Sequence, residues 1–264
     1  MLVFTSAQLD AWINAFLFPI ARVLALFGMA PIFSNMVMRG RLRLMLGLAV
    51  AFALAPALPP MPVTPAGSWV GLRILAEQMV IGLLLGIVLR IVFAAVDLAG
   101  ELIGLQMGLS FAMFYDPQGG GQTPVMSEFL GLVTTLLFLA MNGHLLMISV
   151  LAESFHLLPV RTQPIAAQSF SALLAWSATL FASGLLLSLP VIAALLIANI
   201  AMGVLARVAP QLNLFAVGFP VTLAAGFFVL FLAMPYFGTA LERLFDDGFA
   251  AMRQIMELAK PTAA

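Results

Sequence analysis

The sequence has no cysteine, two histidines, and charged residues at only 8% of its 264 positions. Without cysteine there is no disulfide, no thiolate metal site and no thiol nucleophile. His144 and His156 stand twelve residues apart, without HExxH-type spacing, and metal ligation needs clustered ligands. The serines come without a GxSxG elbow, and Gly119-Gly120-Gly121 lacks the Lys-Ser/Thr of a phosphate-cradling loop. No metal, no cofactor and no intramembrane enzyme chemistry is therefore expected. The 11 basic and 11 acidic residues cancel, leaving no basic field to attract nucleic acid. The opening MLVFTSAQLD lacks the positive n-region of a cleaved signal peptide, so the first hydrophobic helix is expected to be retained.

What fills the chain is hydrocarbon. Hydrophobic residues make up 63% of it and the mean hydropathy is +1.14, whereas a soluble domain is about 25% charged. This composition reads as an all-α integral membrane protein, because lipid satisfies no backbone hydrogen bond and helices satisfy their own. The expected organisation is one membrane domain over 1–264: N-terminal helices over 1–96, a central helix and loop over 97–124, long helical hairpins over 125–240, and an amphipathic tail over 241–264.

Residues 11–33 are the first apolar segment, carrying Pro19, Arg22 and Pro31. An arginine within a span must face protein or water, and an interhelical ion pair is the plain expectation for Arg22. Residues 34–43 read as a loop with Arg39, Arg41 and Arg43, cytoplasmic by the positive-inside rule. Residues 44–58 are a short apolar run that breaks at Pro56, Pro59, Pro60, Pro62 and Pro65, a stiff extended connector. Residues 69–96 carry Arg73, Glu77, Gln78 and Arg90. Arg73 and Glu77 share a helix face and suit a salt bridge. Gly82 and Gly86 form a GxxxG that allows close helix contact.

The stretch around which the rest is organised is Asp97–Pro124, DLAGELIGLQMGLSFAMFYDPQGGGQTP. It opens as an apolar helix and ends as a loop. Gly100, Gly104 and Gly108 recur every four residues, a small-residue ridge for packing. Asp97, Glu101 and Met107 lie off that ridge. With Glu77 and Arg90, Asp97 and Glu101 are expected to be buried polar groups. Phe111, Met113, Phe114 and Tyr115 crowd the exit, Asp116-Pro117 starts a turn, and Gly119, Gly120 and Gly121 give a mobile tip before Gln122. An apolar cluster on such a loop suits a gate. Most of the 16 methionines and 22 phenylalanines are core or lipid-facing residues; Met107 and Met113 stand out by position, because a flexible thioether can seal a gap.

After Pro124 come three long runs: 129–152, 162–206 with Pro190 inside, and 212–241 with Pro220 and Pro235 inside. The second outlasts one span and suits a loop followed by a long or broken helix. The tail repeats Leu241, Leu244, Phe245, Phe249, Met252, Ile255 and Met256 at three and four, with Glu242, Arg243, Asp246, Asp247 and Arg253 opposite. It reads as an amphipathic helix at an interface or against a soluble partner.

Between the last two spans lies RVAPQLNLFAVGFP, Arg207–Pro220. With Leu189-Pro190, Asn199 and Gly203 before it, this segment resembles the signature of the FliR family, whose virulence-system relatives are the SctT proteins. Gln106, Gly108, Asp116-Pro117, the glycine tip, Gln122, Pro124 and Gly143-His144 are similar to that family's central region. The likeness covers residues 100–260 well and the first 95 more loosely. The resemblance implies a core subunit of the type III flagellar protein export gate in the bacterial inner membrane, at the flagellar basal body. It implies assembly with FliP-type and FliQ-type subunits into a helical hetero-oligomer around a channel for unfolded exported proteins, with FlhA- and FlhB-type components nearby. It further implies a plug near 108–124 built on Phe111, Met113, Phe114 and Tyr115, and a turn fixed by Arg207, Pro210, Gln211, Asn213 and Phe215. The competing reading is a secondary transporter or channel working alone, which broken helices bearing Glu77, Arg90, Asp97 and Glu101 would suit; the absence of a clear internal repeat argues against it.

Overall fold

Long apolar runs with few breakers close their backbone hydrogen bonds within helices. The computed structural model of the chain describes residues 6–34, 39–62, 64–65, 67–109, 124–161, 163–209 and 214–260. Among these there is no strand, and the helices are α1 (Ser6–Met29), α2 (Gly40–Leu54), α3 (Trp69–Gln106), α4 (Val125–Ala140), α5 (Gly143–Leu157), α6 (Gln168–Val208) and α7 (Leu214–Leu258), with a helical turn at Pro31–Ser34 and a 3₁₀ turn at Ala55–Ala57. Five of the described helical segments are long and apolar enough to cross a membrane. The chain is an all-α integral membrane protein.

The element boundaries correct the sequence reading in three places. Arg41 and Arg43 are not in a loop but in the first turn of α2, where the Arg43 Nε donates to the Phe33 carbonyl at 2.7 Å. Cations at a helix N-terminus oppose its dipole, so charge alone pointed the wrong way. The run 129–152 is two helices, parted at Met141 and Asn142; Asn142 takes φ 56°, the left-handed conformation that asparagine tolerates. The last apolar run from Leu214 and the tail as far as Leu258 are one helix, α7, of 45 residues with Pro220 and Pro235 inside. By contrast Pro59, Pro60, Pro62 and Pro65 do lie in a non-helical connector. It leads into α3 through Ser68, whose Oγ accepts the Gly71 N–H at 3.1 Å as a helix cap does.

The chain divides into two units. The first holds 1–91, 142–177 and 246–264. Phe18, Leu26 and Phe27 of α1, Ile74, Leu85 and Leu89 of α3, Val150 and Phe155 of α5, and Met252 and Ile255 of α7 are all buried there. The GxxxG does what its spacing suggested. A Cβ on Gly82 would collide with the Arg22 carbonyl and lie 2.8 Å from the Ala25 Cβ, and one on Gly86 would lie 2.5 Å from the Met29 Cβ. Glycine therefore lets α1 and α3 meet backbone to backbone.

The second unit holds 92–141 and 178–245. Its core includes three mutually packed rings, Phe93, Phe138 and Phe245, with centroids 4.9–5.9 Å apart in tilted or edge-on arrangements, the geometry that ring quadrupoles favour. Gly184 of α6 lies against the Ala95 carbonyl of α3, 2.8 Å from where a Cβ would sit.

The tail's apolar stripe has a different destination from the one its pattern suggested. Leu241, Leu244, Phe245, Phe249, Met252, Ile255 and Met256 are all buried within the chain itself, while Glu242, Arg243, Asp246, Asp247 and Arg253 are exposed. Arg253 reaches Glu153 at 3.2 Å.

Candidate functional site

The central stretch is described up to Leu109 and again from Pro124. Within it the glycine ridge divides into two jobs. Gly100 and Gly104 face α4: a Cβ on Gly100 would lie 2.6 Å from the Ser127 backbone nitrogen, while one on Gly104 would lie 3.5 Å from the Met126 Cβ. The Ser127 hydroxyl donates to the Asp97 carbonyl at 2.8 Å, joining the two helices where the glycine brings them close. Gly108 ends the helix. It has φ 80°, its N–H donates to the Leu105 carbonyl at 3.1 Å, and the Leu109 N–H donates to the Gly104 carbonyl at 3.0 Å. These paired bonds across a left-handed glycine are a Schellman stop. The chain thus leaves α3 at a defined place and direction, immediately before residues 110–123.

Met107, expected beside the pore, is instead completely buried in the second unit. It seats on Gly226 of α7, where an added Cβ would stand 2.7 Å from the Met107 Cγ and 2.8 Å from its Cε. Its flexible side chain fills the notch that a glycine leaves, a core role. Phe111, Met113, Phe114, Tyr115, Asp116, Pro117, Gly119, Gly120, Gly121 and Gln122 lie outside the described residues. Of the turn residues, Arg207 is exposed in the last turn of α6 and Phe215 belongs to α7, while Pro210, Gln211 and Asn213 lie outside the described residues.

The polar residues of α3 are not buried in the chain by itself. Arg90, Asp97 and Glu101 are exposed, and Glu77 is half-buried beside Arg73, with Nε to Oε1 at 3.6 Å. The fully buried polar pair is Arg22 and Gln78. The Arg22 Nε donates to the Gln78 Oε1 at 2.9 Å and its Nη2 donates to the same oxygen. Nη2 also donates to the Leu158 carbonyl at 2.9 Å, Nη1 donates to the Ser154 Oγ at 3.0 Å, and the guanidinium lies 4.0 Å from the Phe155 ring centroid. The expected ion pair is replaced by neutral acceptors: among the described residues no carboxylate comes within 4.0 Å of Arg22. Arginine suits this role, because its planar fork makes several bonds at fixed angles. A polar residue alone in an apolar run was a legible signal for Arg22; the choice of Gln78 and the Leu158 carbonyl was not. Among the described residues no three His, Asp or Glu side chains gather as metal ligands do.

Comparison with known proteins places these features. The family model for bacterial export proteins, family 1, matches residues 13–248. The flagellar biosynthetic protein FliR of Pectobacterium carotovorum subsp. carotovorum is 43% identical over 256 residues, covering 97% of this chain and 98% of that one. The FliR of Escherichia coli K12 is 42% identical over the same coverage, and that of Aquifex aeolicus 29% identical over 240 residues, 90% of this chain and 92% of that one. Near-complete coverage of both partners at such identity, with the family model matched over 13–248, shows that the chain belongs to the FliR family of bacterial export proteins.

Proposed function

We propose that the chain is a core, non-catalytic subunit of the flagellar type III export gate in the bacterial inner membrane. It assembles with FliP-type and FliQ-type subunits around a channel for unfolded proteins, with FlhA- and FlhB-type components adjacent. The observation that carries this reading is the full-length likeness to flagellar biosynthetic proteins named FliR.

A second observation supports the need for partners. α6 has 41 residues and α7 has 45, so at 1.5 Å per residue they measure roughly 62 and 68 Å. A bilayer's hydrocarbon core is only about 30 Å thick. Yet exposed apolar residues run along most of α6, from Leu174 to Val208, and along α7 from Val217 to Tyr236. The α6 stretch, roughly 50 Å long at 1.5 Å per residue, outruns the hydrocarbon core, and the usual tilt of about 20° does not absorb the excess. The surplus apolar surface needs protein to cover it, and neighbouring gate subunits supply that cover. Those subunits also cover the exposed polar groups of α3, Arg90, Asp97 and Glu101, within the assembled single-domain subunit.

The 110–123 segment, launched from the Gly108 stop, is the plug. Phe111, Met113, Phe114 and Tyr115 give it apolar bulk that gates by steric contact and dewetting. Gly119, Gly120 and Gly121 let that bulk move aside, and Asp116, Pro117 and Gln122 shape its turn. Arg207, Pro210, Gln211, Asn213 and Phe215 hold the turn between α6 and α7. The test is co-purification of the chain with FliP- and FliQ-type subunits, followed by bilayer recording. The complex should assemble, and deletion of Gly119 to Gln122 should leave assembly intact while raising resting ion conductance. A chain that purifies alone, stable and indifferent to those subunits, would refute the gate reading. Unchanged conductance in the deletion would refute the plug.

A further inference from the structure

A cavity of about 980 Å³ lies within the first unit, between the Glu77–Ile81 turn of α3, the end of α5, the segment 158–166 and the end of α7. Its walls are of two kinds. Ile81, Leu158 and Ile165 supply apolar surface, while His156, Arg161 and Lys260 are exposed at its rim. Among the described residues neither Arg161 nor Lys260 has a carboxylate within 4.0 Å. Glu77, the carboxylate in the wall, is balanced by Arg73.

A third fixed cation stands behind the wall. Gln78 belongs both to the cavity lining and to the Arg22 network, so a fully buried guanidinium with no anionic partner lies one side chain away. In a low-dielectric surrounding an uncompensated charge acts strongly at such range. The cavity therefore has an excess of positive charge that the described residues do not neutralise.

We propose that this cavity holds the phosphate headgroup of an anionic phospholipid. Arg161 and Lys260 meet the phosphate, and the acyl chains leave along the apolar wall. Three features favour a lipid over a small free anion. The volume is that of a drug-sized ligand, far more than a phosphate ion needs. Apolar walls would contribute nothing to an inorganic ion. Lys260 lies two residues past the end of α7 at Leu258, and basic pockets beside membrane helices take anionic headgroups.

The test uses the full chain purified in detergent, stripped of endogenous lipid and titrated with phosphatidylglycerol or phosphatidylcholine under native mass spectrometry. Wild type should retain phosphatidylglycerol and discriminate against phosphatidylcholine. Arg161→Gln with Lys260→Gln should weaken phosphatidylglycerol roughly 30-fold, taking about fivefold per surface cation. Arg161→Lys with Lys260→Arg keeps both charges and should retain binding, which guards against a fold defect being mistaken for a lost site. Equal retention of the two lipids, or undiminished binding in the glutamine pair, overturns the proposal. Displacement of the lipid by millimolar glycerol phosphate would assign the cavity to a free anion, and displacement by an acidic peptide would assign it to a partner protein; either overturns the lipid.

Discussion

Removing the Arg22–Gln78 pair one member at a time should show that the two side chains are energetically one unit. In Gln78→Met, the buried guanidinium keeps Ser154 and Leu158 but loses the oxygen that takes both its Nε and Nη2. Leaving a buried charged donor without its acceptor costs more than the roughly 1–3 kcal/mol of a neutral group. In Arg22→Met, the charge is gone, but the Gln78 Oε1 and the Leu158 carbonyl lose their donors, at about 1–3 kcal/mol each, along with the contact over Phe155. The Ser154 hydroxyl is less affected, because it still donates to the Leu151 carbonyl at 2.6 Å. Part of the Arg22→Met loss is offset because no guanidinium need be desolvated. The double variant Arg22→Met/Gln78→Met leaves only the Leu158 carbonyl unsatisfied. It should therefore be more stable than Gln78→Met alone, with a coupling energy of about 2 kcal/mol. The assay is a double-mutant cycle on the purified full chain, unfolded by heat or by sodium dodecyl sulfate titration in one detergent. Independent sites add within roughly 0.5 kcal/mol. A cycle that closes within that margin, or a double variant weaker than both singles, would refute the reasoning.

Substitutions at four glycines probe the close helix contacts and the α3 stop by the same unfolding measurements. Gly100→Ala drives a Cβ to 2.6 Å from a backbone nitrogen, which cannot swing away, so it should cost about 1–3 kcal/mol. Gly104→Ala meets only the Met126 Cβ at 3.5 Å, and should be neutral or gain up to about 1 kcal/mol of helix propensity; equal effects at the two positions would contradict the packing. Gly226→Ala presses on the fully buried but flexible Met107 side chain, so a loss of about 1–2 kcal/mol is expected. Combined with Met107→Ala it should lose less than the sum of the two singles. Gly108→Ala, at φ 80°, should cost about 1–2 kcal/mol for the left-handed backbone, with Gly108→Asn costing less; an alanine as stable as glycine would mean that α3 does not stop there.

How much was legible beforehand followed from the range of each interaction. Local periodicity carried the helices: the apolar runs, the Arg73–Glu77 spacing and the Gly82–Gly86 step all depend on residues three or four apart. The tail's stripe was equally clear, but a stripe does not say which surface it faces, and here it faces the chain's own core. Long-range pairing was not legible. Nothing in the sequence matched Arg22 with Gln78, 56 residues on, or Met107 with Gly226. Met107 looked like a pore residue because it adjoins an unusual loop, yet the left-handed turn that separates core from loop comes one residue later. The break at Asn142 did carry a signal, an Asn-Gly dipeptide, outweighed in the reading by the long uncharged run around it.

The distribution of glycines bears on what kind of motion the chain allows. Gly82, Gly86, Gly100, Gly184 and Gly226 all sit where an added Cβ would press within 3 Å of a neighbour. At these positions glycine buys proximity rather than freedom, and helices in such close contact resist sliding because any shift brings backbone against backbone. Gly108 differs, since its role is conformational and it marks the end of that packed region. The triglycine at 119–121 follows it in the sequence. A device that must open without leaking needs this division: rigid walls, because small displacements there would breach the seal, and one short element able to rearrange at low cost. The tightly packed glycines supply the first half of that division, close helix contacts that end at the Gly108 stop.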